Sequence, residues 1–202
     1  RAKGHLVFLG IGGDLVDGVA HHDSTQTWGN HTDQRSMAIA LLKPLVGLAD
    51  HAFGITGTGA HVGDVGDDDA AIYEALHIDY DHTWRLDVGG RVLWWAHHGM
   101  PVGTRRHTEE NGAINLIRDI EARCESGGIG KPSAIIGHDR HRAFEPVNVR
   151  GISAAVCPCW QFSTHYGFKW PFSNVHIGGL LWDVPSNQIE VVKYAKEQRI
   201  RR

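Results

Sequence analysis

Four apolar runs in this chain each break off into a loop dense in Asp, His, Gly or Thr, and this strand-then-polar-loop pattern constrains the fold most. Leu6-Val7-Phe8-Leu9-Gly10-Ile11 closes on Gly12-Gly13-Asp14, and Ala52 to Thr56 runs into Gly57-Thr58-Gly59-Ala60-His61. Arg91 to Ala96 delivers His97-His98-Gly99, and Ser133 to Ile136 delivers Gly137-His138-Asp139-Arg140-His141. Short apolar runs bounded by such residues read as buried strands, and open α/β sheets bind ligands beyond the carboxyl ends of their strands. The polar loops are therefore expected to converge.

Helices fill the gaps. The stretch from Thr32 or Asp33 to Leu48 starts on capping residues, carries apolar Met37, Ile39, Leu41, Leu42, Leu45 and Val46, and is expected to bend at Pro44. Asp67 to Leu76 is a second helix, and Thr108-Glu109-Glu110 caps a third that runs to about Arg123 and stops by Gly127-Gly128. Gly89-Gly90 joins the strands Thr83 to Val88 and Arg91 to Ala96 as a tight hairpin. The last quarter reads as β, in Ala143 to Val149, Ile152 to Val156, Ile177 to Val184 and Ile189 to Tyr194, with a turn at Pro185-Ser186-Asn187.

Composition narrows the function. At 202 residues, 42% apolar and 21% charged, the chain supports one packed domain spanning 1–202. The net charge of -3 offers nucleic acid no overall attraction, and Arg199-Ile200-Arg201-Arg202 reads as a solvated tail. No apolar run reaches the roughly 18 residues of a membrane span. Cys124, Cys157 and Cys159 form neither a disulfide framework nor a zinc knuckle, which fits a reducing cytoplasm. Fifteen histidines raise the expectation of metal-assisted or acid-base chemistry.

Gly13-Asp14 after a buried strand, the His97-His98 pair after another, and Gly137-His138 with His141 after a third resemble, in order, the GD, single-His and GHxH motifs of the calcineurin-like metallophosphoesterases. Gly57-Thr58-Gly59-Ala60-His61 and Cys157-Pro158-Cys159-Trp160-Gln161-Phe162-Ser163-Thr164-His165-Tyr166-Gly167 resemble phage-like members. Gly29-Asn30-His31 spells the family's GNH motif, but it precedes a helix rather than following a strand, so Asn30 reads as a cap.

The resemblance implies an α/β fold, a four-layer α/β/β/α sandwich, and hydrolysis of a phosphate ester by a water activated between two divalent ions (Mn, Zn or Fe). It gives Asp14 the bridging carboxylate, Thr58 the position of the family Asn, and His61 the proton donor's place, with Asp17 as a turn-forming acid. His97 or His98 would hold metal; strand alternation is expected to point the two apart, leaving one as ligand, with His97 preferred. His141 would be a ligand together with His138 or Asp139, and Arg140 or Arg142 would hold a phosphate oxygen. The family's Asp-x-His strand is absent ahead of Leu6, so the chain reads as an N-terminally truncated member. Two alternatives follow: an impaired relic or scaffold of the same fold, or a phage-type nuclease.

Overall fold

A computed structural model describes residues 4–18, 30–59, 67–102, 108–141, 143–161 and 175–196. The fold is mixed α/β, with ten strands and three helices among the described residues. The chain falls into two compact units, Arg1–Thr83 and Trp84–Arg202.

The first unit is built on a parallel sheet of order β1-β2-β3, where β1 is Phe8–Ile11, β2 His51–Ile55 and β3 Asp79–Asp81. Parallel strands need a crossover. The first crossover contains α1 (His31–Val46), and α2 (Asp67–Leu76) lies between β2 and β3. Asn30 caps α1 as expected, accepting a 2.8 Å hydrogen bond from Asp33 N. Pro44 lies inside the helix. The two helices pack on each other, and Ile11, Val16, Ala38, Ile72, Tyr73, Leu76 and Ile78 form the core of this unit.

The second unit carries a five-stranded sheet of order β4-β5-β6-β8-β7: β4 (Thr83–Val88), β5 (Arg91–Ala96), β6 (Ala134–Gly137), β7 (Val147–Val149) and β8 (Ile152–Val156). Gly89 and Gly90, at φ 59° and 78°, make the hairpin between β4 and β5, the double left-handed turn that glycine permits. β5, β6 and β8 run parallel, and α3 (Asn111–Gly127) connects β5 to β6. Gly128, at φ 64°, ends α3 by donating to the Cys124 carbonyl. All five residues of β8 are buried, and its Ile152, Ala154 and Val156 form a core with Met100, Ala113, Ile117, Ile135 and Phe144. An antiparallel hairpin, β9 (His176–Asp183) with β10 (Gln188–Lys196), completes the unit.

Three expectations are corrected. The run Leu6 to Ile11, expected as a buried strand, is a strand only from Phe8, and Leu6, Val7 and Phe8 are exposed while Ile11 is buried. The strand expected over Ala143 to Val149 begins only at Val147, because Pro146 has no N–H to give a ladder. β3 was not anticipated: Asp79-Tyr80-Asp81 has no apolar run, yet it pairs with Phe53 to Ile55 and stacks Tyr80 on Tyr73.

Candidate functional site

In the second unit, the register of β5 against β6 sets Trp95 opposite Ile136, so the residues just beyond the two strand ends emerge side by side. His138 N donates to the His97 carbonyl at 3.0 Å. From these two loops His97, His98 and Asp139 bring ligand atoms to within 4.8 Å of one another. His97 is 5% exposed, whereas the His98 and Asp139 side chains are 55% and 28% exposed, so the group has a buried back and an open front.

The expectation that alternation would separate His97 from His98 is not met. β5 ends at Ala96, and beyond it the backbone bends, so the two-residue period no longer applies. Their rings meet edge to face with centroids 4.9 Å apart.

Asp139, not His138, is the acid-loop member of this group. Asp139 adopts φ 70° and His141 φ 52°, backbone that most side chains avoid. His98 Nδ1 stands 3.3 Å from Asp139 Oδ2. Two ligands on one tetrahedral ion at about 2.1 Å would sit about 3.4 Å apart, so this pair already has ligand spacing. Two imidazoles and one carboxylate, with an open front, fit the donor set of a catalytic divalent site, which keeps a position for substrate.

His138 is placed differently. Its Nε2 accepts a 2.7 Å hydrogen bond from Trp95 Nε1, and its ring lies parallel to that of His97 with centroids 6.1 Å apart. It buttresses His97. His141 stands outside the group; its carbonyl accepts from His176 N at 3.0 Å, tying the loop to β9. Arg140 Nη1 is 4.0 Å from Asp139 Oδ2 and half exposed. Burial pushes the Cys157 thiol up to about 12, with Cys159 adding to it, which leaves little thiolate for chemistry.

In the first unit, Asp14 lies three residues beyond β1 at φ 52°. Thr58 donates to its Oδ1 twice, from the backbone N at 2.6 Å and from Oγ1 at 3.2 Å. The two loops touch closely enough that only glycine fits between them. A Cβ on Gly57 would fall 1.9 Å from Asp14 Oδ1, and one on Gly13 2.6 Å from Gly57 N.

Asp69 on α2, which the sequence reading passed over, holds these loops. Its fully buried carboxylate accepts from Asp14 N at 2.9 Å, Leu15 N at 2.9 Å and Gly57 N at 2.8 Å. Burial pushes its carboxyl above the ordinary value, against the pull of the three N–H groups. The signal was present: Asp69, Ile72, Tyr73 and Leu76 share one helix face, so the last of three consecutive aspartates points inward. Buried Gln34 holds the next stretch, its Oε1 accepting from Asp17 N at 2.9 Å and Gly18 N at 3.0 Å. His31 is more than a residue beside a cap: its Nδ1 pairs with Asp68 Oδ2, and Arg35 Nε reaches Asp68 Oδ1 at 3.2 Å. His61, Arg142, His165 and the tail Arg199 to Arg202 lie outside the described residues.

No family model matches the chain, and no curated protein matches it. Solved structures do. One is an archaeal phosphodiesterase, 11% identical with a TM-score of 0.43, over 93% of this chain and 98% of that one. A Thermotoga maritima protein matches at 13% identity and a TM-score of 0.43, over 94% and 99% of the two chains. A predicted phosphoesterase from Streptococcus pneumoniae matches at 9% identity and a TM-score of 0.37, over 77% and 72%.

Proposed function

We propose that the chain is a divalent-metal-dependent hydrolase of phosphate esters, with His97, His98 and Asp139 as protein ligands of one cation. The observation that carries this reading is the His-His-Asp group itself, three donors of the right type from two adjacent strand ends. The cation would supply Lewis acidity toward a phosphoryl oxygen. The chain's own residues supply the rest. Trp95 fixes His138, and the parallel His138 ring supports His97 from behind. Arg140, half exposed with Nη1 4.0 Å from Asp139 Oδ2, would meet a phosphate oxygen with its guanidinium. The leaving-group proton is assigned to His61 on the resemblance alone.

A second cation, at Asp14 and Thr58, belongs to the same proposal, with Mn, Zn or Fe as candidates for both ions. One observation favours a second reading, a single-cation or impaired scaffold: Asp14 Oδ1 already accepts two hydrogen bonds from Thr58. Those bonds would have to be shared or given up for that oxygen to take a cation. Nucleic acid as the ester gains nothing from the net charge of -3.

The test is hydrolysis of bis-p-nitrophenyl phosphate and p-nitrophenyl phosphate with added Mn²⁺, by wild type, His98→Ala and Asp139→Ala. Each variant is expected to lose about 100-fold or more of the metal-dependent rate. Equal rates in all three would remove the proposal.

A further inference from the structure

Three backbone N–H groups from two different loops end on a single buried carboxylate, that of Asp69. Burying a charge is costly unless it is fully hydrogen-bonded, and a carboxylate has acceptors on both oxygens for the three N–H groups where a neutral amide would offer one oxygen. What the arrangement does to Asp14 is specific. Asp69 holds the N–H of Asp14 and the N–H of Leu15, the peptide groups on either side of the Asp14 Cα. With both planes pinned, Asp14 is kept at φ 52°, a left-handed conformation that an aspartate does not adopt by default, and the direction of its Cβ is fixed with it.

The third bond works on the other loop. Gly57 N donates to the same Oδ2 that accepts from Asp14 N. That brings in the next residue, Thr58, whose N and Oγ1 both donate to Asp14 Oδ1. Asp69 thus acts on Asp14 by two routes, through its backbone and through the partner that holds its carboxylate. Four residues along the same helix face, the Tyr73 hydroxyl reaches the carbonyls of Ile11 and Ile55, at 3.1 and 2.9 Å, and the Gly13 amide, while the amides of Asp14, Leu15 and Gly57 go to Asp69.

We propose that Asp69 is a positioning residue, which sets the Asp14 carboxylate for cation binding by accepting the N–H groups of Asp14, Leu15 and Gly57. This rests on the reading of Asp14 and Thr58 as ligands of a second cation. Tyr73 provides the comparison: it joins the same strands and takes none of the three amides that Asp69 holds, so its loss weakens the unit while leaving those three bonds on Asp69 in place.

The experiment is a Zn²⁺ titration of the full ¹⁵N-labelled chain, following the amides of Asp14 and Thr58 and, separately, those of His97 and His98. Wild type, Asp69→Asn and Tyr73→Phe are compared, with unfolding midpoints measured on each. Asp69→Asn is expected to weaken the response at Asp14 and Thr58 by about 10-fold or more while leaving that at His97 and His98 unchanged. Tyr73→Phe is expected to lower the midpoint with the Asp14 response intact. Asp69→Glu, which keeps the charge and adds one methylene, takes the place of the amide if that variant does not fold, with the same expectation. An unchanged Asp14 response in the Asp69 variant overturns the proposal, as does an equal weakening in Tyr73→Phe, which would make Asp69 a stabilising residue only. A wild type that responds at His97 and His98 but not at Asp14 overturns both the proposal and the second cation; one that responds at Asp14 but not at His97 and His98 overturns the metal reading of the His-His-Asp group alone.

Discussion

Trp94 and Trp95 are neighbours on β5 with opposite hydrogen-bonding fates. Trp95 Nε1 donates to His138, whereas Trp94 Nε1 is buried with no partner among the described residues. An unmet buried donor carries a desolvation penalty, so removing it offsets part of the volume lost on substitution. Trp94→Phe is therefore expected to stay within about 1 kcal/mol of wild type in urea unfolding, while Trp95→Phe loses about 1–3 kcal/mol. Equal losses would show that the His138 bond contributes nothing. Gly57→Ala places a methyl where Asp14 Oδ1 stands, and a loss of about 1–3 kcal/mol together with a displaced Asp14 carboxylate is expected; unfolding midpoints and the Asp14 amide shift check it. Residue by residue, legibility followed the strength of the local signal. His97, His98 and Asp139, whose ligand atoms the structure brings together, stand out in the sequence because each follows an apolar strand. Asp69 was missed because three aspartates at a helix start look like a solvated, dipole-matched cap, and only its helix phase says otherwise. Pairing between His31 and Asp68, 37 residues apart, leaves no trace in local pattern.

Among the elements, α3 is held by a charged network rather than by its apolar face alone. Glu121, buried on α3, accepts from Lys131 Nζ and from Arg150 Nη1, each at 2.9 Å. Lys131 foremost, and Arg150 with it, hold the Glu121 carboxyl below its ordinary value of 4.5. A depressed carboxyl contributes stability that is present above the unfolded-state value and lost as pH falls through the folded one. Urea midpoints of wild type are thus expected to fall more steeply than those of Glu121→Gln as pH drops below about 4.5; parallel curves would contradict the network's role. Element boundaries came from the sequence where chemistry marks them, as at Asn30, Gly89-Gly90 and Gly128. They failed where only pairing decides: β3 is a strand because β2 offers it an edge, and the stretch before Val147 is not one because Pro146 interrupts it. The alternation argument for His97 and His98 failed for a related reason, since it extended a strand rule past the last strand residue.

For the molecule as a whole, the repeated sequence pattern holds within each unit. Loops after β1 and β2 meet through Asp69 and Asp14 in the first, and loops after β5 and β6 meet at His97, His98 and Asp139 in the second. Length and composition do not register where contacts thin out, so they carry no signal of the two compact units divided after Thr83. No helix among the described residues is long and apolar enough to cross a membrane. The proposed chemistry depends first on the His-His-Asp group taking a cation, and the most direct test is calorimetric titration of the metal-free chain with Zn²⁺ and Mn²⁺, wild type against His98→Ala and Asp139→Ala. Binding in the wild type that weakens by about 10-fold or more in each variant, at unchanged unfolding midpoints, is the predicted result; affinity equal in all three would contradict it.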